Sequence, residues 1–341
     1  MTRKMEKKRI EYIDLAKGFL IILVVLNHVN ADFYSFHNNT VLCVLSTFRL
    51  PLYYVLSGFF ISFKCGYGTF VEKKVNKLII PFCFFIFLTN VYNFLLHRIC
   101  GGSLPNHEIF VYNSPFYFAW TENRLMFGIQ NITPWFLVSL FETYMLYMLL
   151  YKYCKAKIGY ILPISLLISF VGFHVRLPFF LETSMLALPY VIIGRMIRQY
   201  DILERLNNRG WLQIVVAVLC LGIIAVFRPS YFSFVVNDYG SNSVMSVWLW
   251  GVIGSLGILL LAKTIGRIPV ISYIGRYSII VLGVHLIFYA DLWYLINSRM
   301  SSNAATILVT VLLFGISFLS ILMFKRFCPK LVAQADLIKF V

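Results

Sequence analysis

The sequence contains few charged residues: Asp, Glu, Lys and Arg make up only 13% of its 341 residues, and 60% are hydrophobic. Soluble domains carry about 25% charged residues, so this composition excludes a soluble protein. Cysteine is also sparse, and its seven copies include no CxxC pair. This pattern argues against a zinc framework or a disulfide scaffold, and we interpret the cysteines as packing residues. The composition predicts an integral membrane protein without a metal cofactor.

In place of charge, the sequence has long apolar runs. Ten of them are long enough, at about 20 residues each, to cross a bilayer as helices. This pattern predicts an all-α polytopic membrane protein with about ten transmembrane helices. We expect one membrane domain over residues 1–341, with its core at about 10–330 and a short cytoplasmic tail at 325–341. The runs lie at residues 12–33, 41–63, 78–96, 134–151, 158–173, 178–197, 211–227, 244–262, 278–296 and 304–324.

The distribution of positive charge predicts the orientation, because Lys and Arg collect in short cytoplasmic loops. Alternate loops hold 23 of these residues, whereas the intervening loops hold five. Both termini are therefore predicted to be cytoplasmic. The net charge of +16 follows from this topology, so we expect basic edges that face anionic lipid rather than nucleic-acid binding. No small-residue cleavage site follows the first apolar run, which we interpret as a retained span.

Ionisable residues inside the spans are the candidates for function, because each costs about 2.5–3.5 kcal/mol to insert. Lys17 and His28 are eleven residues apart in the first span, close to three helical turns, so they share one helix face. His28 is our candidate general base, since histidine can accept a proton near neutral pH. The alternative is a histidine bonded to a neighbouring helix. Asp32, one turn further, would orient the ring or, as we favour, belong to a solvated loop.

Two more ionisable residues are predicted to lie near His28. At about 1.5 Å per residue, Arg49 in the second span and Glu142 in the fourth reach a similar depth, so the three side chains could meet. An arginine at this depth suits an anionic or carbonyl-rich ligand. The alternative is a buried ion pair with Glu142 or Glu182.

Two other segments allow two interpretations each. Lys73, Lys74 and Lys77 precede the third span; such a cluster is typical of a cytoplasmic membrane edge and also of a phosphate-binding site. The long loop at residues 97–133 is rich in aromatic and amide side chains. These suit a carbohydrate surface, but we favour a belt at the membrane interface.

Segments in order along the chain resemble the acyltransferase 3 family, particularly its sugar O-acetyltransferases, including fucose 4-O-acetylase-like proteins. The spacing from Lys17 to His28 is similar to the family's basic residue, ten-residue gap and histidine. Residues 48–59 resemble its Pro-Leu-Phe-Phe-x-x-Ser-Gly-Phe block, and Lys74 with Lys77 its basic-x-x-basic pair. Later blocks are similar at residues 134–137, 188–194 and 274–285.

The resemblance implies an O-acyltransferase of the bacterial inner membrane. It would transfer acetyl from cytoplasmic acetyl-CoA to a carbohydrate or lipid-linked glycan. Lys17, Lys74 and Lys77 would bind the CoA phosphates, although lysine lacks the bidentate geometry of the arginine that is frequent in relatives. The catalytic residues would be His28, Arg49 and Glu142, and the substrate-binding residues Tyr53, Ser57, Trp135 and His285.

A carrier or flippase for a glycan intermediate is the alternative function, with the polar helix face lining a passage. A purely structural partner in an assembly complex would explain neither His28 nor Arg49.

Overall fold

The computed structural model of the protein describes residues 10–29, 40–100, 118–121, 124–127, 133–206, 210–234 and 237–339. These residues are largely helical, as predicted. The helices in chain order are α1 (Glu11–Val29), α2 (Thr40–Gly58), α3 (Tyr67–Lys74), α4 (Ile80–Cys100), α5 (Trp135–Tyr153), α6 (Ile158–His174), α7 (Leu181–Gln199), α8 (Gly210–Phe227), α9 (Val244–Ile265), α10 (Pro269–Arg276), α11 (Ser278–Asn297) and α12 (Ser302–Phe327).

Short elements connect some of the helices. A π-helical turn, Val75–Ile79, joins α3 to α4, and a 3-10 turn, Glu204–Leu206, precedes α8. In the long loop, β1 (Phe118–Thr121) pairs with β2 (Arg124–Phe127) as an antiparallel hairpin. Most other residues of this loop, and Asp32, lie outside the described residues. The hairpin is the exception to the predicted all-α chain.

Each predicted span coincides with a helix, and only the short α3 and α10 were not predicted. Within the described ranges, six helical segments are long and apolar enough to cross a membrane: α1, α3–α4, α8, α9, α11 and α12. Helix α6 is apolar but has 17 residues. Helices α2, α5 and α7, which carry Arg49, Glu142 and Glu182 respectively, are not among the six. The number of ten spans and the cytoplasmic location of the termini stay predictions.

The polar helices occupy the middle of the bundle. Helix α2 packs on α7 and α9, α5 packs on α7, and α1 contacts α2, α9, α10 and α11. Two glycines permit the close approach of α2 and α7: a Cβ on Gly58 would lie 2.0 Å from the Val191 carbonyl oxygen, and one on Gly194 would lie 1.8 Å from that of Val55. This packing fixes α2, which carries Arg49, inside the protein.

Candidate active site

A cavity of about 400 Å³ lies between α1, α2, α5, α10 and α11. Its volume is within the usual range for small-molecule sites. Its lining includes six of the residues proposed from the sequence: Lys17, His28, Arg49, Tyr53, Ser57 and Trp135. These residues are far apart in the sequence, and the helix packing brings them together.

Helix α1 forms one wall of the cavity along its length. Lys17, Val24, Asn27 and His28 all line it, as expected for residues that share a helix face. About 16 Å of helix separates Lys17 from His28. We refer below to the Lys17 end and the His28 end of the cavity.

Helix α2 forms a second wall and runs antiparallel to α1. The Tyr53 hydroxyl donates to the Lys17 carbonyl oxygen at 3.2 Å, and Ser57 Oγ donates to the Tyr53 carbonyl oxygen at 2.7 Å. Tyr53 and Ser57 therefore lie toward the Lys17 end, whereas Arg49, one turn before Tyr53 and two turns before Ser57, lies toward His28. Because the two helices are antiparallel, Lys17 of α1 lies at one end of the cavity and Arg49 of α2 lies toward the other.

Arg49 is only 8% exposed. Among the described residues, its Nη1 atom has no hydrogen-bond partner. A buried donor without a partner is costly, so such groups in native proteins need an explanation. Arg49 lines the cavity, and its guanidinium also hydrogen-bonds with Tyr231, another lining residue.

His285 packs against His28 from α11, with ring centroids 5.3 Å apart. Its Nδ1 lies 2.9 Å from the Val281 carbonyl oxygen, which can only accept a hydrogen bond. The proton is therefore assigned to Nδ1, and Nε2 is an acceptor. Nε2 is buried and has no hydrogen-bond partner in the described part of the chain. His285 is not a lining residue of the cavity, so the structure places it directly behind the candidate base.

Trp135, the first residue of α5, lines the cavity. It is 8% exposed and packs on Phe180, with ring centroids 5.2 Å apart. The preceding Thr133 donates its hydroxyl to the Leu282 carbonyl oxygen at 2.8 Å, which ties the start of α5 to α11. The indole is thus held in one position on the wall.

The segment between α8 and α9 adds a wall that the sequence did not predict. Tyr231, Ser233 and Asp238 line the cavity, and Asp238 is exposed. Phe234 is buried, and its carbonyl oxygen accepts from the Thr183 hydroxyl at 2.8 Å. Residues 231–234 are Tyr-Phe-Ser-Phe, and a pattern of three aromatic residues with one serine is too short to identify a site.

Two further lining residues, Arg276 and Gln334, were also missed. Both are exposed and line the cavity together with Gly275, whose α10 packs against α1 beside Gly18. Arg276 and Gln334 therefore lie where the cavity opens to the surface at the Lys17 end, which we call the mouth of the cavity. Arg276 lies in a block already noted for its family pattern, but nothing in that pattern indicated that it would face the cavity.

Three other candidates do not line the cavity. Glu142 accepts a hydrogen bond from Ser184 Oγ at 2.6 Å, between α5 and α7, so the structure does not bring it to His28 and Arg49. The Lys74 Nζ lies 3.5 Å from the centroid of the Tyr144 ring. Lys77 pairs with Asp336, with an N–O distance of 3.1 Å.

The fold and the cavity define a polytopic helical protein with a polar site enclosed among its helices. A family model for the acyltransferase 3 domain matches residues 10–325. The chain therefore belongs to the acyltransferase 3 family, as its sequence segments indicated, and is a membrane acyltransferase. No curated protein and no solved structure matches the chain.

Proposed function

We propose that the protein is an O-acetyltransferase of the bacterial inner membrane. It transfers acetyl from acetyl-CoA to a sugar hydroxyl of a surface or lipid-linked polysaccharide. The main support is the cavity itself: cationic residues lie at one end, and a histidine beside a buried arginine lies about 16 Å away. Exposed residues occur at both ends, Arg276 and Gln334 at the Lys17 end and Asp238 beyond His28.

The Lys17 end suits the donor. Lys17 and Arg276 line the cavity there, and Lys74 stands behind Ser57, because Tyr144 contacts Lys74 and donates to the Ser57 carbonyl oxygen. Cations at this end would bind the CoA phosphates. An extended pantetheine arm is long enough to carry the thioester toward His28.

The His28 end suits the acceptor. The acceptor hydroxyl gives its proton to His28 while its oxygen attacks the thioester carbonyl carbon. The C–S bond breaks, the acyl group stays on the acceptor oxygen as an ester, and the CoA sulfur takes the proton from His28. The Arg49 guanidinium donates to the carbonyl oxygen as negative charge develops on it. Every proton and electron pair is accounted for by the two substrates and His28.

Replacement of His28 tests this function in cells. We expect His28→Ala to remove the 42-dalton acetyl increment from surface glycans, as deletion of the protein does, by loss of general base catalysis. Mass spectrometry of the glycans provides the readout. His174→Ala, at an exposed position on α6, is the matched control and should leave the acetyl group in place. Full acetylation in the His28 variant, at an unchanged protein level, would overturn the assigned role.

Exposed residues at both ends of the cavity also fit a carrier or flippase for a glycan intermediate. A carrier moves glycan without consuming thioester, whereas an acyltransferase releases one free CoA thiol for each acetyl transferred. Glycan of unchanged mass but altered surface abundance in the deletion strain would favour the carrier.

A further inference from the structure

The chain beyond α12 folds back onto the bundle. We call residues 328–339 the C-terminal strap; it lies outside residues 10–325, which the family model matches. Within it, Val332 has no exposed surface and belongs to the same core cluster as Tyr277 and Phe324. The strap is therefore packed in place and is part of the folded protein.

The strap is held by two residues of the π-helical turn. Asn76 is fully buried; its Nδ2 donates to the Ile338 carbonyl oxygen at 2.7 Å, and its Oδ1 accepts from the backbone N–H groups of Leu337 at 2.7 Å and Ile338 at 2.8 Å. Lys77 Nζ donates to the Ala333 carbonyl oxygen at 2.9 Å. These contacts go to the backbone of the strap, so they fix its position independently of most of its side chains.

The position of the strap brings Gln334 to the mouth of the cavity, beside Lys17 and Arg276. Gln334 Nε2 donates to the Val332 carbonyl oxygen at 3.2 Å, which orients the side-chain amide. Ala333, immediately before it, has a φ of 63°. This left-handed conformation is unfavourable for an alanine, because its Cβ comes too close to the following carbonyl oxygen. The buried contacts of the strap thus stabilise an unfavourable backbone conformation directly beside a lining residue.

We propose that the C-terminal strap is part of the donor-binding site, and that Gln334 is a specificity residue for the amide-bearing arm of the acyl donor. This inference rests on the proposed acetyl-CoA donor. A primary amide both donates and accepts hydrogen bonds, which matches the two amide groups of a pantetheine arm. Lys17 and Arg276 at the mouth would then bind the phosphates of the donor, whereas Lys77 holds the strap in place.

Binding of CoA to the purified full-length protein tests this assignment. Gln334→Met keeps the length of the side chain and removes its hydrogen bonds. We expect the Kd for CoA to rise about fivefold to tenfold, the effect of one lost hydrogen bond. Pantetheine carries the amides without the phosphates, and its Kd should rise by the same factor. Arg276→Met should weaken CoA binding and leave pantetheine binding unchanged.

Gln199→Met, at an exposed position at the end of α7, is the matched control and should bind both ligands as the wild type does. Unchanged CoA and pantetheine binding in the Gln334 variant would overturn the inference and leave the proposed function standing. Tighter binding in that variant would also overturn it, because the strap would then obstruct the donor. A wild-type protein that binds neither ligand would overturn the proposed function together with the inference.

Discussion

Arg49 combines burial in the centre of the bundle with a donor atom that lacks a partner among the described residues. Proteins rarely retain such an arrangement, because removing a guanidinium from water is costly unless its hydrogen bonds are replaced. A substrate carbonyl that gains negative charge during transfer would supply the missing acceptor. The residue is therefore expected to contribute more to the reaction than to folding.

Replacement of Arg49 by Met should separate these two contributions. We expect kcat to fall by about 10²–10³-fold, as when one donor to a developing oxyanion is removed. The thermal unfolding midpoint should change little, because the variant also removes a buried charge. Steady-state kinetics and thermal unfolding in detergent provide the two readouts. Arg299→Met, at an exposed position after α11, is the control; a loss of activity in the Arg49 variant that merely follows a loss of folded protein would contradict the catalytic role.

At the level of elements, the contact between α2 and α7 positions Arg49, Tyr53 and Ser57. The contact depends on Gly58 and Gly194, each of which lies against the backbone of the other helix. Because backbone atoms cannot rotate away as a side chain can, an added methyl group would force the helices apart. Small residues at such crossings are common in membrane helices for this reason.

Gly194→Ala should therefore destabilise the protein, by about 1–3 kcal/mol as for other overpacked interiors. Gly222→Ala in α8 is the matched control, because nothing lies within 4 Å of its added Cβ. Alanine is the better helix former by up to about 1 kcal/mol, so this variant should be as stable as the wild type or more so. Thermal unfolding of both variants measures the difference. Equal stability of the two would mean that α2 and α7 do not approach as closely as the structure places them.

Periodicity accounts for what the sequence could predict. The spacing of Lys17 and His28 on one regular helix placed both on the cavity wall, and apolar length located the principal helices. The depth of Glu142 in the membrane did not predict its partners, because depth does not specify which way a side chain faces. Helix α5 directs Glu142 toward Ser184. The walls made by residues 231–234, by Asp238 and by the strap have no regular secondary structure, so no sequence period indicated them. The contact of Lys77 with Asp336 joins distant parts of the chain and has no local signal.

For the whole molecule, the proposed function implies that the two substrates reach the same cavity from opposite sides of the membrane. Donor phosphates are expected at the end with Lys17, Arg276 and the strap, and the acceptor at the end with His28 and Asp238. With both termini cytoplasmic, as the loop charges predict, the donor end faces the cytoplasm. Neither substrate then has to cross the membrane for the acetyl group to do so.

Inside-out membrane vesicles offer the most direct test of this account, because their cytoplasmic face is outward. Acetyl-CoA labelled in its acetyl group and supplied only outside the vesicles should label glycan inside the lumen, where an added esterase cannot reach it until the vesicles are lysed. Vesicles with His28→Ala should show no luminal label, and those with His174→Ala should match the wild type. Two results would contradict transfer through the cavity. One is glycan that becomes labelled only when the vesicles are permeabilised before acetyl-CoA is added, and the other is labelled glycan on the outer face of intact vesicles.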